Sequence, residues 1–127
     1  MDSVRGIAVN SIDEVFIVNV IDATFTGGTQ TAVVAGNIDG MVAGISPTGS
    51  WDWMETTGSS AYEVLYSIAI NESDIVTVGG GLGGGTMTKG PLSLTAANSW
   101  DAMLWSLDPS SKKDADVDGV PDYADNC

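Results

Sequence analysis

The chain repeats itself, and the repeat restricts its architecture more than any other feature. Residues 6–10 (Gly-Ile-Ala-Val-Asn) are echoed by 67–71 (Ser-Ile-Ala-Ile-Asn), and 13–18 by 73–78. Residues 39–47, running from Asp39 through Met41 and Val42 to Pro47, are echoed by 101–109, from Asp101 through Met103 and Leu104 to Pro109. The offsets are nearly equal, about 60 to 62 residues, so the three matches belong to one repeat. Each piece is a short apolar run, most of them rich in Val and Ile, bounded by Gly, Asn, Asp, Ser or Pro, which are strand and turn signals. No window carries apolar residues at helical spacing without an interrupting glycine or turn cluster.

One unit therefore predicts strands over 5–9, 15–20, 41–45 and 51–55, the last after a turn at Pro47, Thr48 and Gly49. Residues 31–35 add a further strand or extend a hairpin. The expected fold is all-β: two antiparallel four-strand repeats shaped like propeller blades, over 1–62 and 63–109, then an irregular segment over 110–127. The second unit is expected to lack its fourth strand, because after Pro109 the chain turns to Ser, Lys and Asp.

These elements resemble the bacterial β-propeller repeat known as SBBP. The matching pieces are the Ile-Ala-Val-Asn strand, the Val-Phe-Ile-Val strand, and the Asp-x-Met-Val close with its Ser-Pro or Asp-Pro ending. A strand containing Trp51 and Trp53 follows the first close. The resemblance implies a propeller, and two units fall short of the four to eight blades one needs. The chain is thus expected to be an incomplete propeller fragment. A glycine-rich stretch over 79–90 departs from the pattern and is expected to be a flexible loop. Gly79, Gly81 and Gly84 formally match a dinucleotide fingerprint, but Gly85, Gly90 and Pro91 break the helix that such a site requires.

The segment 114–125 places oxygen ligands at calcium-loop positions. Asp114, Asp116, Asp118, Asp122 and Asp125 stand at positions 1, 3, 5, 9 and 12, and Gly119 stands at 6, where the loop turns sharply. Val120 would add its backbone carbonyl at position 7. Calcium is a hard cation that takes six to eight oxygens, so alternating aspartates aimed at one centre suit it. The segment resembles the thrombospondin type 3 repeat, with Cys127 completing the pattern. That resemblance implies an extracellular calcium-binding segment whose cysteine pairs with a neighbouring repeat. As the single cysteine, Cys127 has no partner in this chain, so a disulfide to sequence outside it is expected.

The formal net charge of −13 excludes nucleic acid as a natural partner, because such a surface repels phosphate backbones. No apolar run reaches membrane-spanning length. There is no histidine, so neither a serine nor Cys127 has the usual general base. Choosing Asp52 with Glu55 or Asp101 as a glycosidase pair is arbitrary among 17 acids. Trp51 and Trp53 are expected on one face of a strand, filling a core. The function expected is that of a non-enzymatic, extracellular structural or adhesion module from a larger secreted or surface protein, with calcium ions, surface proteins or glycans as partners. The alternative is a carbohydrate-binding or carbohydrate-active propeller on a calcium-stiffened stem.

Overall fold

In the computed structural model, residues 2–89, 91–97 and 99–112 are described, and they form β-strands joined by turns and no α-helix. The first unit holds β1 (Ser3–Val9), β2 (Val15–Ile21), β3 (Phe25–Gly27), β4 (Gln30–Ala32), β5 (Asp39–Ile45) and β6 (Trp51–Thr56). The second holds β7 (Tyr62–Ile70), β8 (Val76–Gly83), β9 (Thr86–Lys89), β10 (Leu92–Thr95) and β11 (Asp101–Leu107), then a 3-10 helix at Pro109–Lys112. The all-β expectation holds, and the sheet pairings are antiparallel. The first unit is a sheet ordered β1-β2-β5-β6 and the second a sheet ordered β7-β8-β11, each with a two-strand hairpin beside it.

The two units correspond in detail. Val9 pairs with Val15 and Val15 with Ile45, while Ile70 pairs with Val76 and Val76 with Leu107. A bulge skips Arg5 in β1, and the counterpart bulge skips Tyr66 in β7. The first turn of each unit is built by one asparagine. Asn10 Oδ1 accepts from the N–H groups of Ile12 and Glu14, and Asn71 Oδ1 accepts from those of Ser73 and Ile75. Each turn closes on an aspartate in the left-handed region, Asp13 at φ 63° and Asp74 at φ 60°. Asparagine side chains stabilise such turns, and aspartate tolerates positive φ better than most residues.

The glycine stretch corrects one expectation. Gly79 to Gly83 lie inside β8, the central strand of its sheet, and β9 follows them. The β9–β10 hairpin stands in the second unit where β3–β4 stands in the first, so the stretch is no loop-like insert. Close neighbours explain some of these glycines. A Cβ on Gly81 would lie 3.0 Å from the Trp100 ring, and one on Gly80 would strike the Val64 carbonyl oxygen.

The units diverge after β5 and β11. Ser46 accepts from the Gly49 N–H, and Gly49 takes φ 92°, which reverses the chain into β6. Ser111 stands in the counterpart position and cannot adopt that conformation cheaply. There the Ser111 N–H also donates to the Asp108 carbonyl, and Asp108 Oδ1 accepts from the Ser110 N–H and hydroxyl, capping the 3-10 turn. Among the described residues the second sheet has no strand corresponding to β6.

The units stack through unlike faces. Phe16, Val18, Val42 and Trp53 of the first sheet pack against Leu65, Val76, Val78, Leu82 and Met103 of the second in one core. At about 1.5–3 kcal/mol per buried large side chain, this contact is the main force joining the units. The opposite face of the first sheet, carrying Ile17, Ile21, Met41 and Ala43, is covered by its own hairpin through Phe25 and Ala32.

Candidate functional site

Asp114, Asp116, Asp118, Val120, Asp122 and Asp125, together with Cys127, lie outside the described residues. Among the described residues no group of three or more acidic, histidine or cysteine side chains is placed to hold a metal ion. Two of the acids considered for glycoside chemistry, Glu55 and Asp101, have other occupations. Glu55 pairs with Lys112 at 2.9 Å and Lys89 at 3.6 Å, and Asp101 accepts a hydrogen bond from the Ala97 N–H.

The tryptophans divide between the faces. Trp53 sits opposite Gly44 and Trp51 opposite Ile45, with a bulge between the two pairs. The shift turns Trp51 away from Trp53, against the expectation that they share a face. Trp53 is buried beside Phe16 at a centroid distance of 6.1 Å, and Trp51 meets Phe25 edge-on at 5.6 Å. Both are core residues, whereas Trp100 is half exposed over Gly81 and Gly83.

The chemically unusual place is the seam between the units. Asp39 opens β5 and Glu63 lies near the start of β7, and both side chains are fully buried. Strand alternation puts Glu63 on the same face as Leu65, next to the bulge, and so aims a carboxyl into the core. Asp39 Oδ2 accepts from the Ala35 N–H at 2.9 Å. Thr57 donates to Glu63 Oε2 at 3.3 Å and accepts from the Gly40 N–H at 3.1 Å. Asp39 Oδ1 and Glu63 Oε1 have no hydrogen-bond partner among the described residues. A proton on Glu63, donated to Asp39, satisfies that need.

Burial, the neighbouring Asp39 charge and a hydrogen bond to Asp39 push the Glu63 carboxyl up to about 7, against a smaller opposing contribution from Thr57. The raised Glu63 carboxyl beside Asp39 makes the closed seam sensitive to pH. No substrate reaches them, since both are fully enclosed. The pair was missed from the sequence, although the alternation Glu63, Leu65 in an apolar strand could have marked it.

An apolar groove of about 210 Å³ lies between β11 and the β9–β10 hairpin, lined by Met87, Leu92, Leu94, Met103 and Trp105. Lys89 stands over the Trp105 ring at 5.2 Å. In the first unit, Trp51 and Met54 of β6 pack against the corresponding hairpin.

No protein-family model matches the chain, and no curated protein matches it in sequence.

Proposed function

We propose that the chain is a non-enzymatic structural module of an extracellular protein: two blades of a propeller-type stack followed by a calcium-binding segment. The observation that carries the structural half is the correspondence of the two units down to their turn hydrogen bonds, with unlike faces pressed together. Such stacking extends by repetition and makes a scaffold without needing any reactive group. The calcium half rests on the ligand pattern of Asp114, Asp116, Asp118, Asp122 and Asp125 around Gly119, with the Val120 carbonyl. Affinity in the range of extracellular modules, on the order of 10⁻⁴ to 10⁻³ M, suits a structural ion.

The test is calorimetric titration with calcium in a Cys127→Ser background, with Asp118→Ala as the control. Saturable heat at one site, abolished by Asp118→Ala, is expected. Absence of binding up to ~10 mM, well above that range, would remove calcium from the proposal.

A carbohydrate-binding propeller is the second reading, favoured by the half-exposed Trp100 indole lying over Gly81 and Gly83. Saturable quenching of tryptophan fluorescence by soluble glycans, lost in Trp100→Ala, would support it, and unchanged fluorescence would dismiss it.

A further inference from the structure

Every interface has two halves, and among the described residues this chain carries a second, unmated copy of each. The internal interface presses one face of the first sheet (Gly6, Val18, Val42, Trp53) against the opposite face of the second (Leu65, Ile68, Ile70, Val78). Ile68 and Ile70 pack on the shared core, whereas their counterparts Ile7 and Val9 in the first unit are 66% and 55% exposed. Val42 is fully buried in that core, whereas its counterpart Leu104 is 79% exposed. The exposed apolar positions on β1 and β11 thus correspond to positions that the internal contact covers in part (Ile68, Ile70) or wholly (Val42).

We propose that these two open faces bind each other between copies of this chain, head to tail, with Ile7 and Val9 of one copy seated on Leu104 and Trp100 of the next. The occupant is a second copy because the one partner known to fit each face is the corresponding unit of this chain. The inference rests on the stacking half of the function proposed above and is independent of the calcium segment. Unlike-face contacts of this kind do not close on themselves as a twofold dimer does, so they build chains or rings.

The contact is weaker than the internal one for identifiable reasons. Thr77 and Gly79 replace Phe16 and Val18 on the receiving face, so less apolar surface is offered. The turn contact changes sign as well. Inside the chain, the Ser11 hydroxyl and N–H both donate to the Asp74 carboxylate across the two units. Between copies the counterparts are Glu72 and Asp13, two carboxylates that repel. One contact changes partners without loss: Arg5 stands over the Tyr66 ring at 6.0 Å inside the chain, and the half-exposed Tyr66 can receive Arg5 of the next copy.

The experiment is sedimentation equilibrium of the full chain carrying Cys127→Ser, from ~1 µM to ~1 mM. It is run at ~0.5 M salt, where the screening length is about 4 Å. The average mass is expected to rise with concentration beyond that of a dimer. Ile7→Glu and Leu104→Glu, both at exposed positions, should each remain monomeric. Their equimolar mixture should form a one-to-one heterodimer that grows no further, because one intact half remains on each. Charge repulsion is the same in the mixture as in either variant alone, so it cannot produce that difference. Glu72→Ser restores the counterpart of Ser11 and should tighten association about 3- to 10-fold. A chain that stays monomeric throughout, a variant that still dimerises by itself, a mixture that does not pair, or Glu72→Ser without effect would overturn the proposal.

Discussion

Glu63 carries its carboxyl against that of Asp39, each supplied by a different unit and neither reached by solvent. The pair makes the joint between the units sensitive to pH. Because the Glu63 carboxyl titrates at about 7 in the folded chain against an ordinary 4.5, the folded state binds the extra proton. The resulting stability is fully present below about pH 4.5 and is lost as pH rises through 7. Urea unfolding from pH 5 to 8 should show a decline of up to ~3 kcal/mol from this group. Glu63→Gln, whose amide can donate to Asp39 without ionising, should remove its share of the slope and raise stability at pH 8.

Gly40 is confined by the opposite unit. A Cβ there would lie 2.6 Å from Leu65 Cγ in the shared core. Gly40→Ala should cost about 1–3 kcal/mol by overpacking, and Leu65→Ala about 2–5 kcal/mol by leaving a cavity. Since the new methyl enters the space that Leu65 vacates, the double variant should lose less than the sum of the two. Urea midpoints of the four proteins measure that coupling. Simple additivity would mean the two residues do not meet.

Gly80 offers the opposite case. There the added Cβ would strike the Val64 carbonyl, which is backbone and has no far end to swing away. Gly80→Ala should therefore destabilise by more than ~3 kcal/mol, with no side-chain truncation nearby able to rescue it. Thermal unfolding of Gly80→Ala, alone and with Leu65→Ala, checks both statements.

Asp13 and Asp74 share a backbone conformation and differ in what they bind. Both sit near φ 60°, where glycine is at ease. Asp74 also accepts two hydrogen bonds from Ser11 of the other unit. Asp13→Gly should be neutral or stabilising by up to ~1 kcal/mol. Asp74→Gly should cost about 1 kcal/mol, because the contact between units is lost while strain is relieved. Chemical denaturation of the two variants side by side gives the difference, and equal effects would show that the Ser11 contact contributes nothing.

Much of the fold was legible because it depends on local chemistry. The apolar runs form β1, β2, β5 and β6 close to the expected limits, since alternation and bounding turn residues act over a few positions. Asn10 and Asn71, at matching places in the repeat, build matching turns for the same reason. Expectation failed where a neighbour distant in sequence was decisive. The glycines of β8 read as a loop until Trp100 and the Val64 carbonyl were seen lying against them. Trp51 and Trp53 were expected on one face until the bulge opposite Gly44 and Ile45 separated them.

The proposed calcium ligands depend on residue type and spacing alone, and those belong to the sequence. The closed carboxyl pair and the two unmated faces depend on which face of one unit meets which face of the other. A repeat in sequence creates two similar sheets, and by itself it does not say which of their faces stack. That choice falls to burial: Leu65 fits over Gly40 and Ile68 over Gly6, and the contact that encloses them also encloses Glu63 with Asp39.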